Sequence, residues 1–329
     1  MLSGSKIVVI GGGTGNHTTL TGLKKRNCEL TALVTMSDDG GSSGRLRDEL
    51  GQLPPGDIRQ CLVALAADDY MSAQLRKLFN FRFTSGQGLN GHSFGNLFIS
   101  ALTHITGNPA TAIAEASRML HIKGSVLPIT LTPTILKAKL HDGTIIDGES
   151  QIALMSTIHD SGIDFIYLDP VAYPYPPVIK AIEEADAIVI GPGDIYTSIL
   201  PNLLVQDVAN AINQSNAIKI YICNLMTKPG ESNGFSASDF LGLVQSYLRT
   251  DKPLDCLLVN NVSLPKTIKD RYLKVGQQPV ELDIEKCQQM ARHIKHAPLL
   301  KAEVYLRHNP DALASAIIEF IDTHISDIN

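Results

Sequence analysis

Short β-branched runs alternate with stretches of helical periodicity along most of this chain. KIVVIG (6–11) leads into a helical pattern over Thr18–Arg26, LTALVT (30–35) follows, and LVALAA (62–67) lies in a helical context. The same grammar returns in the second half. AIVIG (187–191) precedes a helical pattern near Leu203–Asn213, IKIYICN (218–224) precedes one near Ser236–Leu248, and LDCLLVN (254–260) closes the series. Strands that are apolar on both faces and separated by helices predict a largely parallel sheet covered on both sides. The expected fold class is therefore α/β, a modified Rossmann-like arrangement with an antiparallel hairpin added to it. The hairpin is expected within 126–150, where period-two alternation meets Asp142-Gly143, with His141 and Thr144 flanking a tight turn. Nothing in the pattern marks a boundary, so 1–329 is expected to form a single domain. The proline-rich DPVAYPYPPV (169–178) reads as a rigid loop before a helix.

Composition narrows the function without choosing it. The chain has 329 residues, is 44% hydrophobic and 19% charged, and carries a net charge of −5, so it lacks the basic excess that holds a polyanion, and nucleic acid is not an expected partner. No run approaches the length of a membrane span and the opening MLSGSKIVVIGGG lacks a leader-like apolar stretch, which predicts a cytoplasmic protein without membrane insertion. The five cysteines are scattered with no CxxC pair, so neither a disulfide framework nor a cysteine zinc site is expected.

Chemistry is concentrated where strands give way to glycine. Gly11, Gly12, Gly13, Thr14, Gly15 and Asn16 join the first strand to a helix, placing unpaired amides and the positive end of the helix dipole at one spot, a natural seat for phosphate. The loop is not a P-loop, because no Lys-Ser or Lys-Thr follows, and it matches the dinucleotide fingerprint only in part, because Asn16 stands where the third glycine would be. After the second strand, Ser37, Asp38, Asp39, Ser42, Ser43 and Arg45 bring carboxylates, hydroxyls and a guanidinium to the same sheet edge. Adjacent carboxylates suit a hard cation such as Mg²⁺, which binds through one or two carboxylates plus substrate phosphates, and Arg45 suits a phosphate. The plain alternative is a solvated turn with Asp39 capping a helix over Arg45–Leu50.

Further along, Asp57 and Arg59 sit at the mouth of a helix, Ser93 is a cap beside His92 and Asn96, and Gly191, Gly193, Asp194, Tyr196, Thr197 and Ser198 repeat the strand-glycine-helix arrangement. Lys228 is a second cation able to offset phosphate charge. His293 and His296 stand three apart on an expected helix, without a third metal ligand. LFISALTHI (97–105) could serve a homodimer contact.

Together GGGTGN, SDDGGSSGRLR, PPGDIR, NGHSFGNL and GPGDIYTSILPNLL resemble the YvcK/CofD-like family, its gluconeogenesis factor branch more than its 2-phospho-L-lactate transferase branch. The resemblance implies a nucleotide-diphosphate ligand on the carboxyl edge of the sheet. In the transferase branch a phospholactyl group moves from a guanosine diphosphate carrier to a deazaflavin alcohol, with a divalent metal on the aspartates matching Asp38 and Asp39. In the factor branch the ligand is a UDP-sugar such as UDP-N-acetylglucosamine, with a role in growth on gluconeogenic carbon sources, cell shape and wall precursor supply. That branch implies nucleotide-sugar contacts at Tyr272 and Arg307. Asn16 departs from the transferase loop, and no stretch resembles its deazaflavin-binding insertion. Asn309 and Pro310 replace a phosphorylatable Asp-Thr pair of the factor branch, so regulation through that hydroxyl is not expected. The expected function is a nucleotide-sugar-binding regulatory protein. A Mg²⁺-dependent transferase is the alternative, with Asp38 and Asp39 as its candidate catalytic residues, and an NAD-binding oxidoreductase is a remoter one.

Overall fold

A computed structural model describes residues 4–154, 161–302 and 306–324. Twelve strands are present among them: β1 Ser5–Gly11, β2 Cys28–Val34, β3 Ser125–Pro128, β4 Ile135–Leu140, β5 Ile145–Asp147, β6 Ile163–Asp169, β7 Ala187–Ile190, β8 Ile218–Ile222, β9 Leu254–Asn260, β10 Ala291–Ala297, β11 Leu300–Ala302 and β12 Leu306–His308. Seven form one sheet in the order β10-β9-β8-β7-β1-β2-β3, and every neighbouring pair in it is parallel. The chain builds outward from β1 to β2 and β3, then returns to the other side of β1 and builds outward again through β7 to β10. The order therefore reverses between β1 and β7, where such sheets open a crevice at the carboxyl ends of their strands.

The central strands explain the apolar runs. Ile7 to Ile10 in β1 and Ala187 to Ile190 in β7 are each no more than 2% exposed, so both faces of the sheet are covered by helices. Helix starts are fixed locally. Ser93 accepts a hydrogen bond from the Asn96 amide at the head of Phe94–Thr106, and Ser236 and Asp239 form a reciprocal capping box for Ala237–Leu248.

The mostly parallel α/β fold is as the pattern predicts, and four details differ from it. The 126–150 region divides. β3 joins the edge of the main sheet, whereas β4 and β5 form the antiparallel hairpin, which pairs with β6 in a three-stranded sheet of its own instead of extending the main one. The helix expected near Leu203–Asn213 is two pieces, Leu200–Leu204 and Val208–Gln214, interrupted where Asp207 takes a φ of 64°. The first helix begins at Gly13, earlier than the apolar periodicity alone suggests. His293 and His296 lie on the strand β10 rather than on a helix, so they point to opposite faces and cannot share a ligand. His293 packs instead on Phe320 and His324 of the helix Pro310–His324. No helix among the described residues is long and apolar enough to cross a membrane.

Candidate functional site

A cleft of about 560 Å³ opens at the reversal of strand order, floored by the loops after β1, β7 and β8. On one wall is the start of the helix Gly13–Leu23, whose first amides have no carbonyl of their own helix to bond. Two of the glycines there are required by close approach. A Cβ on Gly15 would overlap the Pro192 carbonyl, and one on Gly13 would overlap the Asp57 carboxylate and the Gln60 amide. The helix N-terminus is thereby pressed against the loop Gly191–Gly193 on one side and the helix Gly56–Leu65 on the other. The Gly13 amide is taken by the Asp57 carboxylate, and the cleft lies in front of Thr14 and Gly15.

Of the residues singled out from sequence, Gly13, Thr14, Gly15, Gly193, Asp194, Ser198, Lys228, Tyr272 and Arg307 line this cleft. The loop residues come from three strand ends, and Tyr272 and Arg307 close the far side. Tyr272 is held by its hydroxyl, which accepts a hydrogen bond from the Leu306 amide at 2.8 Å. The others sit behind or beside it. Gly11 and Gly12 form the turn itself, and Gly191 has a φ of 85° that only glycine adopts readily. Asn16 is fully buried and donates to the Leu33 carbonyl, tying the first helix to β2. Tyr196 and Thr197 are buried beneath the loop. Ser37 accepts from Thr35, and Ser42 pairs with Nδ1 of His92 at 3.0 Å. Ser43 accepts from Asn96, whose carbonyl oxygen in turn accepts from Nε of Arg59 at 3.0 Å. Arg45 donates to the Asn90 carbonyl. These residues stiffen the acidic loop from behind.

Asp38 and Asp39 diverge although they are adjacent. Asp38 accepts from the Gly40 amide at 3.0 Å and from Ser43, whereas Asp39 accepts from the Ser150 amide at 2.8 Å and so anchors the segment after the hairpin. The carboxylates that reach the cleft wall are Asp57 and Glu149 on this side, with Asp194 opposite them. Burial raises the pKa of Asp57 to about 8, and the Asp38 charge adds to the rise. Glu149 is also pushed well up, first by burial and then by Asp57, Asp38 and Asp39, and its Oε2 is buried without a hydrogen-bond partner. Asp38 is raised as well, again chiefly by burial. Like charges crowded in this way are held at a cost that a cation would relieve. Among the described residues, no three such side chains already surround a metal-sized point, so a cation here would need oxygens from a ligand or water to complete its shell.

Across the cleft, Lys228 Nζ lies 2.6 Å from Asp194 and 2.5 Å from Glu231. The Glu231 side chain is 1% exposed, and burial raises its pKa to about 7 even beside the lysine. Neither Glu231 oxygen meets hydrogen-bond geometry, so the contact with Lys228 is coulombic, by proximity. His308, at the end of β12, also lines the cleft. It is buried and neutral, its pKa lowered to about 4 by burial, and its Nε2 donates to the Cys223 carbonyl at 3.2 Å.

Sequence reasoning noted Asp57 only as a helix mouth and did not assign Glu149, Asn224 or His308 to the site. An acid opening the helix Glu149–Ala153 directly after Gly148 was the one local signal for Glu149. Nothing local marks the other two.

The family model described as 2-phospho-L-lactate transferase CofD matches residues 7–300. The gluconeogenesis factor of Bacillus subtilis (strain 168) is 40% identical over 321 residues, spanning 96% of this chain and 98% of the relative. The gluconeogenesis factor of Halalkalibacterium halodurans is 43% identical over 315 residues, with 95% of each chain covered. Among solved structures, a member of the UPF0052 family from Bacillus halodurans superposes with a TM-score of 0.91 at 41% identity, covering 96% of this chain and 100% of that one. With the fold, the glycine cleft and these matches in agreement, the chain belongs to the YvcK/CofD-like family, alongside relatives that bear the name gluconeogenesis factor.

Proposed function

We propose that this protein is a gluconeogenesis factor that binds a nucleotide-diphosphate sugar, of the UDP-N-acetylglucosamine kind, in the cleft between β1 and β7. In this reading it acts in the cytoplasm as a regulator of wall precursor supply and cell shape during growth on gluconeogenic carbon sources. One observation carries the reading: helix-start amides, Lys228 and Arg307 converge on a single cleft large enough for a nucleotide sugar. The Thr14 and Gly15 amides and Ser198 would hold the diphosphate, with Lys228 released from Asp194 to answer its charge. Tyr272 and Arg307 would bound the rest of the ligand. Regulation needs only that the ligand change the population of one state of the protein.

A second reading, a Mg²⁺-dependent transferase acting on a nucleotide-diphosphate-linked donor, is favoured by the carboxylates of Asp57, Glu149 and Asp38 beside the glycine loop. Their crowding and the unpartnered Glu149 oxygen fit a divalent cation, which Asp57 and Glu149 would hold with Asp38 in support. Bound there, Mg²⁺ would supply charge neutralisation for a diphosphate. In that reading Lys228 offsets charge as it builds on the leaving phosphate oxygens.

Calorimetric titration with UDP-N-acetylglucosamine, GDP and NAD, each with and without Mg²⁺, separates the readings. Tight, metal-independent binding of the UDP-sugar without turnover supports the regulator. Metal-dependent GDP binding supports the transferase, and preference for NAD refutes both.

A further inference from the structure

Lys228 lines the cleft, yet its Nζ is already engaged by two carboxylates, those of Asp194 and Glu231. The two acids are unlike. The Asp194 side chain is 45% exposed, so water can take over when the lysine leaves. Glu231 has no such reserve, because its side chain is 1% exposed and neither of its oxygens has a hydrogen-bond partner. Its place is fixed as well. The turn that carries it is closed by the Glu231 and Ser232 amides, which donate to the Lys228 carbonyl at 3.1 and 2.8 Å, and by the Lys228 amide, which donates to the Ser232 hydroxyl at 2.9 Å. From this turn the long lysine stem can swing into the cleft, while the short, buried glutamate cannot follow. The other titratable groups that face the pair are Asp194 and the Tyr196 phenol, from the segment after β7, and Glu149, which senses the Lys228 charge from the helix Glu149–Ala153. None of these is a cation, so none can replace Lys228 at Glu231.

We propose that Glu231 is a positioning residue that exchanges its cation for a proton: when a diphosphate draws Lys228 into the cleft, the Glu231 carboxylate takes up a proton from solvent, so ligand and proton bind together. The inference rests on the nucleotide reading above and adds a proton to it. Left charged and alone in a buried site, the carboxylate would be more costly than the neutral acid. Burial already lifts its pKa to about 7 with the lysine beside it, and departure of the lysine removes the chief influence that holds it down, so the bound-state value lies higher still. The sign follows. Below pH 7 Glu231 is largely neutral and Lys228 is held by Asp194 alone, whereas above pH 7 an ion pair must be broken first, so affinity falls as pH rises. The fraction of free protein with Glu231 neutral drops from about nine-tenths at pH 6 to about one quarter at pH 7.5, which lowers the apparent affinity about fourfold.

The test is calorimetry on the full chain with UDP-N-acetylglucosamine at pH 6 and pH 7.5, the latter in two buffers that differ in ionisation enthalpy, with thermal melting as the check on folding. The diphosphate of this ligand is a diester, so the ligand itself exchanges no proton in this range. The parent should take up a proton at pH 7.5, read as a buffer-dependent heat, and bind about fourfold more weakly there than at pH 6. Glu231→Gln should lose the pH dependence and take up less by at least about half a proton, with Asp57 and Glu149, which also line the cleft, setting any uptake that remains. Asp194→Asn, which frees Lys228 on its exposed side alone, should keep the uptake. Equal uptake in the parent and Glu231→Gln overturns the inference, as does a loss in Asp194→Asn as large as in Glu231→Gln. A Glu231→Gln chain that melts like the parent but no longer binds overturns it too, because the acid would then hold the lysine for the ligand instead of competing for it. If the parent binds with no uptake and no pH dependence, the nucleotide reading stands and the proton exchange fails. If the parent does not bind, both fall.

Discussion

Replacing Asp57 by Asn should stabilise the ligand-free protein and, on the transferase reading, remove its response to Mg²⁺. Asn keeps an oxygen to accept the Gly13 amide and nearly the same volume, so the substitution isolates the charge. The sign follows from linkage. The folded carboxyl titrates at about 8 and its ordinary value is 3.8, so between those values the folded protein holds a proton that the unfolded chain has lost, and stability falls as pH rises through that window. At 1.36 kcal/mol per pH unit the full displacement corresponds to about 6 kcal/mol. Asp57 keeps part of its surface in the open cleft, where water screens it, so about 2–3 kcal/mol is expected at pH 8.5, with little difference at pH 4. Urea unfolding of parent and variant at pH 4, 6 and 8.5, with and without Mg²⁺, reads it directly. The parent should lose stability toward alkaline pH and, on the transferase reading, regain it with Mg²⁺ and a diphosphate, whereas the variant should show a shallower pH dependence and, on that reading, no metal response. A variant less stable than the parent at pH 8.5, or a parent whose stability does not depend on pH in this window, would refute the reasoning.

Three further outcomes follow from the same geometry. Lys228→Met leaves Glu231 buried without its cation and should cost about 2–4 kcal/mol at pH 8 by chemical denaturation. The cost should shrink at pH 5, where Glu231 is neutral, and Glu231→Gln in the same chain should recover most of it. Gly15→Ala drives a methyl into the Pro192 carbonyl, so the helix start must shift, and both the melting temperature and nucleotide affinity should drop together in a thermal-shift titration. His308 takes up a proton near 6.5 when unfolded but only near 4 when folded, so stability should fall as pH drops between these values, by up to about 3 kcal/mol. The analogous slope should be missing in His308→Asn, and NMR titration should show the ring neutral at pH 5.5.

What could be read from the chain divides by range. The parallel sheet was legible because β1, β7, β8 and β9 are apolar on both faces, and the glycine-lined cleft because Gly13 and Gly15 sit between a strand and a helix that must nearly touch their neighbours. The acidic wall was legible only in part. Adjacency drew attention to Asp38 and Asp39, yet their side chains turn to different backbone amides, and the carboxylates in the cleft are Asp57 and Glu149, with Asp194 opposite, supplied by segments far apart in sequence. Periodicity cannot show such a meeting, because it arises from the packing of the segment after the hairpin against the second loop. His293 and His296 were misplaced for a related reason: ARHIKHA satisfies a helical spacing, and pairing with β9 decided that it is a strand.

The central claim is that the helix start at Gly13–Gly15 holds a diphosphate, and a crystal structure of the protein grown with UDP and Mg²⁺ tests it most directly. The account predicts the diphosphate within hydrogen-bond distance of the Thr14 and Gly15 amides, with Lys228 drawn away from Asp194. Ordered UDP bound elsewhere, with those amides facing only water, would contradict it.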